Sequence, residues 1–420
     1  MPAVQLRGLN ASGLLMNNNP NSAKRSIVSL YVANSLSLIG NVLSELAVPW
    51  FVYELTGSAT ATAGVMIAGQ LPNILVGLFS GQFIDRFSAK AVSLFTDAVN
   101  FMAIALIPLL FHLNALDMLW LGMLVFFSKV FDTPGHTARH VMLAELIEKH
   151  QLPRDRVNGL YSLLDTIADL IGPIIAGLLL TLIGAVYLMV IDAITFGLSF
   201  LIIALGFGLK KHSHHERRPV SVWVAWRWLF RTPIVRKLAI YDAVLNTVAT
   251  ALLAVALPVL AKNFSGNGTL YGLWMSGFAC GTTLTAALYS WLGHRLNPIT
   301  LLKITPIGQV IGLLIIVTVL VMGWPLILVA GGLFLFGANL GVGSMMDAKL
   351  LQTYVPENMR GSIFAAFSST RFVGVPFGLF IAGWLLDSMA VNTLFGFFMV
   401  LCFFASVLWW GREPLNNPSA

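Results

Sequence analysis

A chain of 420 residues with 57% hydrophobic and only 10% charged side chains, and a mean hydropathy of +0.82, is far too apolar for an ordinary soluble domain, in which roughly a quarter of residues are charged. The apolar residues fall in runs of about 20, the length that crosses a bilayer as a helix, and charge is confined largely between them. The formal charge of +7 is therefore no nucleic-acid signal, and the chain reads as an all-α polytopic membrane protein.

Residues 1–25 are polar, contain NNNPN and end in Lys24-Arg25. They are expected to form a disordered tail without a cleavable signal, the first span acting as an uncleaved anchor. Twelve spans follow, at 26–53, 62–84, 90–111, 117–138, 157–182, 186–209, 236–261, 269–292, 299–322, 326–347, 361–386 and 390–410. Every Lys and Arg except Lys129, Lys262, Lys303 and Arg371 then lies on the side of the N-terminus. By the positive-inside rule that side is cytoplasmic, which predicts cytoplasmic termini in the cell inner membrane.

The longest connection, 210–235, carries KKHSHHERR and then WVAWRWLFR. It is expected to be a solvated basic linker rather than a metal site. Its Trp-Arg segment is expected to lie in the interface with arginines toward anionic lipid. It separates an N-terminal half, 26–209, from a C-terminal half, 236–410, with a short tail over 411–420. The two halves repeat in the same orientation. AVPW at 47–50 aligns with ALPV at 256–259, Gly64 with Gly272, DRFSAKAV at 85–92 with HRLNPITL at 294–301, and AGLLLT at 176–181 with AGWLLD at 382–387. Two parallel six-helix halves predict a substrate cavity between them near the midplane.

GQFIDRFSAK at 81–90 joins the second and third spans. Gly81 permits close helix approach, Asp85 can cap the positive N-terminus of a neighbouring helix, and Arg86 and Lys90 hold the turn inside. The spacing G-x-x-x-D-R-x-x-x-K resembles the signature loop of the major facilitator superfamily, with Ser88 and Ala89 standing where that family usually has glycine and a base. In the fifth span Gly159, Ala168, Gly172, Pro173, Ala176 and Gly177 resemble the superfamily's antiporter motif, with alanine at two glycine positions. Ala168, Gly172 and Ala176 recur every four residues and make a small-residue face for a helix of the opposite half. Together with LTGS at 55–58, these features resemble the macrolide-efflux and enterobactin-exporter branch, and the resemblance covers nearly the whole chain. It implies proton-coupled antiport of a small amphipathic molecule, drug-like or siderophore, by a monomer among membrane lipids. A lysophospholipid flippase or a proton-coupled importer of the same fold is the alternative it leaves open. No P-loop, metalloprotease helix or nucleophile elbow is present, so neither cofactor nor catalytic residue is expected, and an embedded enzyme or a receptor is the remote reading.

Charges inside spans are costly and are functional candidates by default. Asn34, Ser37, Asn41 and Glu45 form a polar stripe on the first span that must face a cavity or another helix. Glu45 is the candidate proton-coupling group. Asp165 and Asp169, on the small-residue face of the fifth span, could serve the same role, and the sequence does not choose among the three. Asp242 and Asn246 on the seventh span are a further polar pair, or else a solvated helix end. Arg371 occupies the repeat position of Asp165, so the two could bridge the cavity in one conformational state and separate in the other, or form a fixed structural ion pair. Lys129 and Asp132, one turn apart, are expected to pair with each other. Asp97, Asp192, Asp347 and Lys303 lie nearer span ends and are expected to be solvated or paired with the 81–90 loop, and Cys280 and Cys402 to be packing residues.

Overall fold

The computed structural model describes residues 20–76, 88–207, 222–292, 296–356 and 359–409. Of the 81–90 loop only Ser88, Ala89 and Lys90 fall within them, so the expected roles of Gly81, Asp85 and Arg86 lie outside the described residues. The helices are α1 (Pro20–Thr56), α2 (Ala59–Val76), α3 (Ala89–His112), α4 (Met118–His150), α5 (Arg154–Ile183), α6 (Ala185–Gly206), α7 (Val222–Arg231), α8 (Pro233–Ala251), α9 (Leu257–Ser265), α10 (Gly268–Leu292), α11 (Pro298–Met322), α12 (Val329–Tyr354), α13 (Arg360–Phe372), α14 (Val375–Ser388) and α15 (Val391–Val407). With α8 continuing into α9, and α13 into α14, they make twelve spans plus the linker helix α7. Among the described residues, eight spans are long and apolar enough by themselves to cross a bilayer.

Local chemistry sets the breaks. Ser88 accepts from the Ala91 amide at 3.2 Å to start α3, and Asp117 accepts from the Trp120 amide at 2.7 Å to start α4, each satisfying an otherwise orphaned first-turn donor. Gly184, at φ 83°, ends α5, and Gly266, at φ 62°, ends α9, both in a region disfavoured for residues with a Cβ. Pro49 sits inside α1. Its repeat counterpart Pro258 follows a π-helical turn, Leu252–Ala256, which absorbs the missing backbone donor.

The halves pack alike. In the first, α1 lies against α5 and α6, α3 against α4 and α6, and α2 against α4. In the second, the corresponding pairs are the α8/α9 span with α13, α14 and α15, α11 with α12 and α15, and α10 with α12. The halves meet mainly through α5 on α10 and α2 on α14.

Three expectations are corrected here. The first helix starts at Pro20, inside the segment expected to be a tail. The fourth does not end at 138 but runs to His150, because Met142, Leu143, Leu146 and Ile147 keep a buried apolar stripe going beyond the membrane-length segment. Arg139 is thereby buried inside a helix rather than set in a cytoplasmic loop. And α7 does not simply float at an interface: Ala225 and Leu229 are fully buried and the helix packs on α13, leaving Trp223 exposed.

Candidate functional site

The end of the bundle away from the N-terminus is closed across the two halves. Asp387, at the last turn of α14, accepts from Ser58 Oγ at 2.7 Å and from the amides of Ala59 and Thr60, each at 2.8 Å. It is thus a carboxylate seated on the N-terminus of α2, where the helix dipole favours negative charge. The repeat supplies a neutral counterpart, since Thr181, aligned with Asp387, accepts from the Thr269 amide at 2.8 Å on the N-terminus of α10. Beside these caps Lys262 pairs with Glu54 at 2.8 Å and sits 4.8 Å above the Trp50 ring, and Trp50 stacks on Tyr271 at 6.1 Å. Asp387→Ala is expected to weaken this closure by about 1–2 kcal/mol, a roughly 5–30-fold shift toward opening. Distance distributions between spin labels on α2 and α14 would show it as a new longer population.

The antiporter-like stretch of α5 meets the other half one residue off the expected Ala168, Gly172 and Ala176 face. Gly177 of α5 and Gly272 of α10 touch backbone to backbone: a Cβ on Gly177 would lie 2.7 Å from the Gly272 Cα. Gly172 faces Val42 of α1 instead, and Ala168 and Ala176 are buried. Pro173 contributes its carbonyl to the Gly272 contact, whereas Gly159 faces open space. Lys90 donates to the carbonyls of Ala204 and Phe207 and so caps the C-terminus of α6 within its own half.

Below the closed end, a cavity of about 380 Å³ is lined by Asn41, Ser44, Glu45, Lys129, Asp132 and Asp192 from the first half and by Thr250, Leu253, Ala254 and Met275 from the second. A second cavity of about 290 Å³ shares Asn41, Glu45 and Asp132 with it and continues along α1 and α4 past Ser37, His136 and Asp169. The polar stripe of α1 therefore faces α4, α5 and this space. Asn34 donates to Asp165 at 2.9 Å, Asn41 to Asp132 at 2.9 Å, and Glu45 pairs with Lys129 at 3.3 Å. Lys129 also lies 3.7 Å from Asp132, so it bridges two acids rather than pairing only along its own helix. Glu45, with its side chain 55% exposed, is the member of the triad most open to the cavity.

Other expectations change. Arg371 stands apart from Asp165 in this state, which excludes a fixed ion pair between them; it pairs with Asp242 inside its own half, and Asn246 donates to the Arg371 carbonyl at 3.1 Å. Asp242 is buried, which removes the solvated-end alternative. Asp97, Asp192 and Asp347 are buried as well, not solvated. Asp97 is held by Arg139 and by Ser199, whose hydroxyl donates at 2.8 Å, and Asp192 accepts from Ser44. The sequence reading missed Arg139, Asp192, His136 and His140 as site residues. For the three on α4 the signal was the spacing of Lys129, Asp132, His136, Arg139 and His140 along one continuous helix; Asp192, on α6, had none beyond its place inside a span.

The comparisons agree with this architecture. The family model described as transmembrane secretion effector matches residues 22–413. The multidrug efflux pump Tap of Mycolicibacterium fortuitum is 27% identical over 366 residues, covering 85% of this chain and 88% of its own. The enterobactin exporter EntS of Salmonella typhimurium is 24% identical over 389 residues, covering 89% of each. Among solved structures, a bacterial homologue of the iron transporter ferroportin in an inward-facing state superposes with a TM-score of 0.73 at 17% identity, over 92% of this chain and 98% of that one. The nucleoside transporter NupG superposes with a TM-score of 0.75 at 11% identity, over 93% and 100%. Two six-helix halves closed at one end around an acidic cavity, and a family match over nearly the whole length, make this chain a multi-pass transport protein of the transmembrane secretion effector family within the major facilitator superfamily.

Proposed function

We propose that the chain exports cationic amphipathic small molecules by proton-coupled alternating access, residing in the inner membrane with both termini cytoplasmic. The observation that carries this reading is the charge of the two cavities: Glu45, Asp132 and Asp192 line the larger against Lys129, and Glu45, Asp132 and Asp169 line the smaller against Arg139, whose guanidinium is engaged by Asp97. An anionic cargo would meet these acids at close range, whereas a cation can replace Lys129 as their counter-ion. The names of Tap and EntS point to efflux of drugs and of a siderophore, and the acid excess favours the first class for this chain.

In the mechanism we propose, the closed end is periplasmic and the described state receives cargo from the cytoplasm. Before cargo arrives, Lys129 lies between Glu45 and Asp132, 3.3 Å from the one and 3.7 Å from the other. A cationic cargo competes with Lys129 for Glu45, and a proton on Glu45 removes one of the acidic charges that hold the cargo, leaving those of Asp132, Asp169 and Asp192. Proton and cargo therefore exclude one another at one carboxylate, which is the linkage antiport requires. The Asp387, Thr181 and Lys262 contacts must open for release. Asp165 and Asp169 would be the coupling carboxylates if Glu45 acts only through Lys129.

Everted membrane vesicles loaded with a fluorescent lipophilic cation test the reading. Respiration should drive dye into the lumen, and a protonophore should abolish the uptake. Uptake that is insensitive to the protonophore, or confined to right-side-out vesicles, would contradict coupling or direction respectively.

A further inference from the structure

Two histidines on α4 and an aspartate on α5 form a group outside the Glu45, Lys129 and Asp132 cluster. His136 and His140 stand four residues apart, so their side chains share one helix face, and their ring centroids are 4.7 Å apart. Asp165 approaches from α5, and the ligating atoms of the three residues all lie within 4.8 Å of one another. Two imidazoles and a carboxylate are a donor set suited to Zn²⁺ and neighbouring divalent transition metals, and three protein ligands leave a fourth position open. Tetrahedral bonds of normal length place such donors ~3.3 Å apart, within reach of small side-chain rotations.

The surroundings supply a second, independent indication. Asn34 is 1% exposed and donates through Nδ2 to one Asp165 oxygen at 2.9 Å. It thereby orients the carboxylate and leaves the other oxygen for an ion, as outer partners of metal ligands do. Its own Oδ1 is buried without a partner, as is the hydroxyl of Tyr161, whose ring lies 4.8 Å from His140. Unpaired buried polar atoms beside a ligand set are costly to keep unless something polar occupies the space. The nearest full positive charge on α4, Arg139, is committed to Asp97. His136 also lines the 290 Å³ cavity together with Asp132 and Asp169, an acidic route for an arriving cation.

We propose that His136, His140 and Asp165 bind a divalent transition-metal ion of the Zn²⁺ class, its fourth position open to the cavity. The test reads metal binding directly, so it stands or falls separately from export. Tag-free, full-length protein in nanodiscs is titrated with Co²⁺, whose visible absorption is strong in four-coordinate sites, and then with Zn²⁺. Because His212, His214 and His215 in the linker could also bind metal, the titration is run on wild type and on the variant with all three changed to alanine.

One equivalent with intense absorption, displaced by Zn²⁺ and retained in the linker variant, is the expected result. His136→Ala and His140→Ala should each weaken binding by at least tenfold. Asn34→Ala, a positioning change, should weaken it about tenfold while leaving one equivalent bound. Only weak octahedral absorption would overturn the proposal, as would binding lost in the linker variant but unchanged in His140→Ala. His140 is exposed, so its variant decides the outcome even if His136→Ala folds poorly.

Discussion

Arg139→Ala is expected to be the most damaging single substitution to stability among the described residues, at a cost of about 3–5 kcal/mol. Arg139 and Asp97 are both buried, and the guanidinium contacts Asp97 and, at 3.4 Å, Ser199. Three helices of the first half, α3, α4 and α6, are thus tied through one ion pair. Removing the base strands a carboxylate among apolar neighbours, and a stranded buried charge costs more than the intact pair contributes. The double variant Asp97→Asn with Arg139→Gln should recover part of the loss, since neutral partners can still hydrogen-bond. Survival after heating in detergent, read by size-exclusion chromatography, distinguishes the outcomes. Equal losses in the two single variants that simply add in the double would mean that the pair is not an energetic unit.

Gly272→Val is expected to abolish transport, and the reason lies in the contact between halves. Even the first carbon of a side chain at Gly272 would collide with the Pro173 carbonyl and stand 2.8 Å from the Gly177 Cα. Backbone cannot move aside as a side-chain end can, so α5 and α10 must separate, at an overpacking cost of about 1–3 kcal/mol or more. The gain in helix propensity, at most about 1 kcal/mol, does not offset this. Gly64, aligned with Gly272 in the repeat, has nothing within 4 Å of a built Cβ, so Gly64→Val should retain near-normal transport. Dye efflux by cells expressing each variant at matched levels checks the contrast. Equal activity of the two would mean that the α5–α10 contact is not tight during the cycle.

The difference between those two glycines shows what sequence can convey. The internal repeat made the fold legible, because it aligned prolines, glycines and loop signals without any need to know what touches what. Pro49 and Pro258 lie at the same place in their spans, and α5 meets the other half through Pro173 and Gly177, one residue off the expected Ala168, Gly172 and Ala176 face, whose Gly172 meets α1. Repeat alignment identifies equivalent residues, however, and not neighbours. Asp165 and Arg371 are equivalent, yet Arg371 is taken by Asp242 because α8 packs on α13 within one half.

Charged residues near predicted span ends were misplaced for a related reason. Hydropathy marks where the membrane ends, whereas α4 continues to His150. The continuation carries Arg139 into a buried network and sets His136 and His140 on one face. The pairing of Glu45 with Lys129 was equally hidden, since it joins α1 to α4 across 84 positions of chain. The polar stripe on α1 announced that a partner existed and could not name it.

Proton coupling at Glu45 is tested by the transport of Glu45→Gln in proteoliposomes. The amide keeps the shape of a protonated carboxyl but cannot release a proton or take up the charge of Lys129. Counterflow of a labelled lipophilic cation, with no proton gradient, and uphill transport driven by an imposed gradient are measured on the same preparation. Counterflow is expected to persist at lower affinity for the cation, because Asp132, Asp169 and Asp192 still line the cavities, while gradient-driven accumulation falls to the level of empty liposomes. Undiminished proton-driven accumulation by Glu45→Gln would contradict coupling at Glu45 and move it to Asp165 or Asp169.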